Sequence, residues 1–153
     1  MVIWVTVQSL FYVGIDVTNP NISKPSKPVV QESELSHAYW QNAKEGRFVV
    51  QSCSKCGLKR HYPRFLCSSC LSDTFSWENI ELKGSIHSWT VCHHAFHPGF
   101  IEELPYCLVT VDMSEPGIRA MGIWRGHSEL KIGLKVTARF DLTPEGRTEL
   151  IFF

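Results

Sequence analysis

The apolar positions of this chain follow two periods. Between residues 31 and 46, Leu35, Ala38, Tyr39 and Ala43 recur at spacings of three and four, which places them on one face of a helix. Ser33 stands where an N-cap belongs and Gly46 where a helix stops; Trp40 flanks the stripe. From residue 77 onward the period falls to two. Leu134, Val136, Ala138, Phe140 and Leu142 alternate with polar neighbours, as in a half-buried strand. Ile80–Val91 is a long β-prone run broken by Gly84. Tyr106–Met113 ends at the turn Ser114-Glu115-Pro116-Gly117, and Ile118–Trp124 follows. Thr143-Pro144-Glu145-Gly146 predicts a hairpin turn before Thr148–Phe153. Five strands in about 75 residues, with a short non-strand stretch at Gly126–Gly133, predict a small closed barrel of the OB type. A β-sandwich is the competing arrangement.

Two stretches fit neither period. Residues 1–17 are apolar with partial alternation (Val5, Val7; Tyr12, Gly14, Asp16) and suit an extra strand, a docking segment or an extension without fixed structure. Residues 18–30, TNPNISKPSKPVV, carry three prolines and read as a linker. The chain therefore divides into an extension and linker at 1–30, a helix with a cysteine-bearing segment at 31–76, and a barrel at 77–153.

Composition narrows the classes. An apolar content of 44% with 20% charged residues belongs to a folding chain. Lysine plus arginine equals aspartate plus glutamate, 15 each, which argues against a dedicated nucleic-acid binder. The first 17 residues lack a basic n-region and a cleavage site, and their apolar run is too short to span a bilayer. The expectation is a cytoplasmic protein with reduced thiols and no membrane association.

Four of the six cysteines form two C-x-x-C pairs, Cys53/Cys56 and Cys67/Cys70, ten residues apart. Each pair makes a knuckle with converging sulfurs, and two knuckles on a short ribbon supply a tetrahedral four-thiolate set. One structural zinc ion per chain is expected, with no open coordination position for catalysis. Iron in the same site and a group of metal-free thiols are the alternatives. Gly57 follows the first pair, where a positive φ is often needed, but Leu71 follows the second, so the repeat is imperfect. Residues 46–72 hold Arg47, Lys55, Lys59, Arg60 and Arg64 and no acid. These bases either balance the thiolates in solvent or form a face for phosphates.

Residues 89–100, WTVCHHAFHPGF, gather Cys92, His93, His94 and His97. Adjacent histidines on a strand point to opposite faces, so a second metal site would need a bend. Phe96 and Phe100 would be exposed on a long loop, and exposed aromatics suit a partner. No G-x-S-x-G, P-loop or G-x-G-x-x-G motif is present, and Cys92 beside two histidines does not by itself give a nucleophile–base geometry. Glu102 and Glu103 read as solvated loop residues.

The order of parts carries a resemblance. Tyr39-Trp40 and Glu45-Gly46-Arg47-Phe48 lead into Gln51-Ser52-Cys53-x-x-Cys56-Gly57. Then come Tyr62-Pro63-Arg64, Cys67-x-x-Cys70, Gly84-Ser85-Ile86-His87-Ser88-Trp89-Thr90-Val91, Pro105-Tyr106 and Ile132-Gly133-Leu134-Lys135-Val136. Over residues 31–153 this resembles the family of small proteins with a rubredoxin-like zinc ribbon followed by an OB fold, long grouped as a domain of unknown function. The resemblance implies a partner role rather than stand-alone catalysis. Members accompany thiolase-fold enzymes: archaeal acetoacetyl-CoA thiolase and hydroxymethylglutaryl-CoA synthase assemblies, lipid-transfer-protein-like thiolases and hydratases of steroid side-chain breakdown, and a bacterial acyltransferase acting on phloroglucinols. It implies a zinc-binding bridging subunit of a thiolase-like acyltransferase complex, a hetero-oligomer handling acyl or acyl-CoA substrates. Tyr39, Trp40, Tyr62 and Arg64 are then the expected docking residues, and His93, His94, Phe96, His97 and Phe100 the expected acyl-passage loop. The alternative is a nucleic-acid module in which Tyr62 and Phe65 stack bases. The extension before residue 28 lies outside the family pattern.

Overall fold

A computed structural model describes residues 25–143 and 145–153; the strand or docking role expected for residues 1–17 lies outside the described residues. Helix α1 spans Glu34–Lys44. Ser33 caps it, its hydroxyl accepting from the Ser36 amide while the Ser36 hydroxyl accepts from the Ser33 amide, a reciprocal arrangement that satisfies two otherwise orphaned donors. Gly46, with φ of 77°, ends the turn beyond it. The stripe expected from the sequence faces inward: Tyr39 and Ala43 are buried.

Three strands follow as one antiparallel sheet in the order β2-β1-β3, with β1 at Phe48–Cys53, β2 at Lys59–Arg60 and β3 at Phe75–Ile80. The division expected at 76/77 falls inside β3, which pairs with β1 from Cys53↔Phe75 to Phe48↔Ile80. The remaining strands are β4 (Lys83–Cys92), β5 (Tyr106–Met113), β6 (Arg119–Trp124), β7 (Lys135–Leu142) and β8 (Thr148–Phe152). They close a five-stranded barrel in the order β4-β5-β6-β8-β7, so the sandwich is excluded. Closure depends on a short parallel pairing, Ile123↔Ile151 and Trp124↔Phe152.

The expected Ile80–Val91 run is two strands. The break falls at Glu81-Leu82, where the chain leaves the sheet and enters the barrel, and Gly84 sits within β4. A Cβ there would lie 2.4 Å from the Asp112 carbonyl oxygen and 2.6 Å from Val111 Cγ1, so the glycine permits close strand approach rather than interrupting the strand.

One core serves both sheets. Phe48, Val50 and Ile80 from the first pack with Ile86, Val109, Val111, Ile118, Ala120, Val136 and Phe152 from the barrel. Burial at this scale is the main favourable term in folding. Among the described residues no helix is long and apolar enough to cross a membrane.

Candidate metal centre and its surroundings

The two C-x-x-C segments occupy equivalent backbone turns. The Cys53 amide donates to the Leu58 carbonyl and the Gly57 amide to the Cys53 carbonyl; the Cys67 amide donates to the Ser72 carbonyl and the Leu71 amide to the Cys67 carbonyl. Gly57 has φ of 71° and Leu71 of 58°. The second knuckle therefore holds a leucine in the left-handed region that its counterpart fills with glycine, and the imperfect repeat in sequence is a complete repeat in backbone.

The four sulfurs converge. All lie within 4.8 Å of one another, with Cys53 Sγ 3.6 Å from Cys70 Sγ and Cys56 Sγ 3.6 Å from Cys67 Sγ. A tetrahedral zinc with bonds of about 2.3 Å needs sulfurs about 3.8 Å apart, so the set fits one ion. Four thiolates would fill its coordination shell and leave zinc a structural role. Amides of Cys56 and Lys55 point at Cys53 and bring its thiol down to about 6; amides of Cys70 and Ser69 lower Cys67 likewise. These donors favour the thiolate form that a metal requires. Among the described residues these four form the one cluster of three or more His, Cys, Asp or Glu side chains placed to share an ion, and Cys92, His93, His94 and His97 form none.

Buried Gln51 fastens the ribbon. Its side-chain oxygen accepts from Arg60 Nε at 2.7 Å and from the Arg64 amide at 2.9 Å, tying the segment between the knuckles to β1. Three of the five basic residues are already engaged, while Lys55 and Arg64 are exposed. Arg60 is buried and lies over the Phe75 ring. Lys59 meets Glu78 at 3.1 Å and Glu115 at 2.9 Å, while Arg47 pairs with Glu45.

The residues expected to dock a partner separate into two groups. Tyr39 is 4% exposed, packing edge-on against Phe48 and Phe140 and beside His61. That expectation is corrected: its ring pins α1 to the core and is not offered to a partner. Trp40 is half-buried, and Tyr62 and Arg64 are exposed. The segments that follow the two cysteine pairs also expose Leu58, Phe65, Leu66 and Leu71, with Phe65 and Leu71 each at 73%. The sequence signal for this exposure was the apolar content of those segments.

The histidine-rich loop begins where β4 ends at Cys92. His93 and His94 are exposed, and Phe96, at 93% exposure, stands edge-on to His94. His97 caps a 3₁₀ helix at Pro98–Glu103, its ring accepting from the Gly99 amide. Phe100 is half-buried, not exposed as expected, because the Lys27 ammonium and the Arg147 guanidinium both lie over its ring. Glu103, expected in solvent, pairs with Lys27 and Arg125.

Comparison with known proteins agrees with this architecture. Residues 40–76 match the ChsH2 rubredoxin-like zinc ribbon domain and residues 77–141 the ChsH2 C-terminal OB-fold domain. A solved structure described as an Ltp2-ChsH2(DUF35) aldolase superposes with a TM-score of 0.70 at 28% identity, covering 82% of this chain and 97% of that one. A DUF35 protein of unknown function from Sulfolobus solfataricus shares the fold, with a TM-score of 0.53 at 15% identity over 76% of this chain and 84% of that one. A protein of Thermomonospora curvata described as a probable enoyl-CoA hydratase alpha subunit is 38% identical over 82 residues, 52% of this chain. The chain spans about a quarter, 24%, of that relative's length. With both domain matches lying end to end on the ribbon and barrel described above, the chain belongs to the ChsH2-type (DUF35) family, a rubredoxin-like zinc ribbon joined to an OB fold.

Proposed function

We propose that this chain is a zinc-stabilised, non-catalytic accessory subunit that docks on a thiolase-fold enzyme and helps it handle acyl or acyl-CoA substrates in the cytoplasm. The observation that carries this reading is the exposure of five large apolar side chains, Leu58, Tyr62, Phe65, Leu66 and Leu71, on the small ribbon. Several large apolar side chains exposed on so small a metal-fixed ribbon are costly in water and suit burial against a protein. The metal set is closed, which assigns the ion to holding that ribbon in shape. Relatives described as a hydratase subunit and an aldolase assembly support a place in an enzyme complex. Trp40 and Arg64 extend the docking face, and His93, His94, Phe96 and His97 stand at the mouth of the acyl passage, while Phe100, covered by Lys27 and Arg147, does not line it in the isolated chain.

Gentle affinity purification from the native cell, with partners identified by mass spectrometry, tests the proposal. A stoichiometric thiolase-fold protein is the expected result, lost on Phe65→Asp with zinc retained. Robust acyl transfer by the purified chain alone, or recovery of nucleic acid in place of an enzyme, would overturn it.

A further inference from the structure

OB folds bind their ligands on the face of the second and third strands, between the loops joining strands one to two and four to five. Here those strands are β5 and β6, and the loops are residues 93–105 and 143–147. The space between these loops is occupied by the chain itself. Residues 25–30, part of no helix or strand, lie against both loops. Pro25, Ser26 and Lys27 line a cavity of about 500 Å³ with Gly99, Glu102, Glu103, Thr143 and Glu145.

Lys27 is the side chain that turns in. Its ammonium pairs with Glu103, lies 3.6 Å from Glu149, and sits 5.0 Å from the centre of the Phe100 ring. Two carboxylates and an aromatic face surround this alkylammonium group as a box; each carboxylate also meets a guanidinium, Glu149 that of Arg147 and Glu103 that of Arg125, and Arg147 shares the Phe100 ring. Gly99 lets the strap backbone close in on this box, since a Cβ there would come within 3.0 Å of the Lys27 Cα, amide nitrogen and Cγ. The neighbouring residues Pro25, Ser26, Pro28, Val29 and Val30 remain exposed, so the lysine is the anchor. Past the box the groove continues as a space of about 280 Å³ walled by Leu108, Ile123 and Leu150 together with the charged Glu103, Arg147 and Glu149, unfilled by the strap. A segment carrying an apolar residue near its lysine has room there that the strap does not use.

The geometry points to a peptide site: the OB-fold cleft receives a lysine-bearing segment of a partner protein, and in the isolated chain its own Pro25–Val30 segment occupies that site through Lys27. The inference stands apart from the exposed apolar side chains of the ribbon and does not require the partner to be a thiolase.

The test uses the full chain with Lys27→Glu, which sets a third carboxylate beside Glu103 and Glu149, and with Lys27→Ala, which opens the box without adding charge. Zinc content and far-ultraviolet circular dichroism confirm the fold of each. The probe is the peptide acetyl-Pro-Ser-Lys-Pro-Val-Val-amide, followed by NMR titration. A tethered strap competes at about millimolar effective concentration, so the peptide is expected to bind the variants more tightly than the wild type, by about tenfold for an intrinsic Kd of about 0.1 mM and about twofold for about 1 mM. The same peptide with norleucine for lysine should not bind, and Glu103→Gln added to Lys27→Ala should weaken binding. Equal binding to wild type and variants, binding to neither, or equal binding of the norleucine peptide would each overturn the proposal.

Discussion

Exchanging the residues that follow the two cysteine pairs isolates a backbone term at the metal centre. Leu71 and Gly57 share one hydrogen-bonding turn and one left-handed conformation, φ of 58° and 71°. Leu71 is 73% exposed, so its side chain contributes little to folding, and a Cβ at Gly57 would meet nothing within 4 Å. Sterics with the rest of the fold therefore drop out at both positions. An L-residue in this region costs about 1–2 kcal/mol, while glycine gives back about 0.5–1 kcal/mol through its freer unfolded chain. Leu71→Gly should strengthen the ribbon by about 0.5–1 kcal/mol and Gly57→Leu should weaken it by a similar amount. Because the folded ribbon is the form that holds the ion, zinc affinity should rise about two- to fivefold in the first variant and fall by a like factor in the second. Competition with a chromophoric chelator at pH 7 reads both. Shifts of the same sign, or a weaker Leu71→Gly protein, would refute the equivalence of the two turns.

Other outcomes follow from the same structure. Cys67→Ser should purify without stoichiometric zinc and without a cooperative near-ultraviolet transition, since a four-thiolate site holds about 10–16 kcal/mol of apparent binding free energy; full metal content with an intact fold would exclude the site. Gly84→Ala should cost at least about 2 kcal/mol in urea unfolding, because the new methyl collides with β5 backbone and Val111, and a loss below about 0.5 kcal/mol would contradict that packing. Burial pushes the His61 imidazole down to about 4, while in the unfolded chain it titrates near 6.5. The unfolded state thus binds the extra proton between those values, and folding weakens as pH falls. Relative to His61→Phe, the wild type should lose about 2 kcal/mol of stability between pH 7 and pH 5, measured by denaturation with zinc content checked at each pH; parallel curves would remove His61 as the cause.

What could be read from the chain was local. The capped helix depends on Ser33, Gly46 and a stripe within one turn of itself, and the four cysteines on their spacing, so both were legible. Burial of Tyr39 followed from that stripe, but its partners did not, because they are Phe48 and Phe140, the second of them near the far end of the chain. Distance in sequence also hid the neutralised bases: Lys59 finds its acids at Glu78 and Glu115, and no count over residues 46–72 includes them. Gly84 reads as a breaker in sequence because a strand's need for close approach is set by the neighbour it crosses. The Lys27 contacts escaped for the same reason, since a proline-rich linker gives no sign of where an inward side chain will land.

The ribbon and the barrel are mechanically joined, and this bears on what an accessory subunit can transmit. Phe48 belongs to a ribbon strand and Phe140 to a barrel strand, and their rings stack at 5.9 Å with an interplanar angle of 19°. Tyr39 closes the contact from the helix, and Lys59 ties the ribbon to the barrel turn at Glu115. A domain pair joined by a mobile linker would let a docked ribbon leave the barrel free to wander. Here the shared core fixes one against the other, because packed interiors shift between discrete arrangements rather than deform smoothly. An enzyme gripping the apolar side chains beside the zinc knuckles would thereby also orient the barrel, its histidine-bearing loop and the strap-covered cleft. The metal ion, by fixing the two knuckles, would act on such a complex by setting where those elements stand.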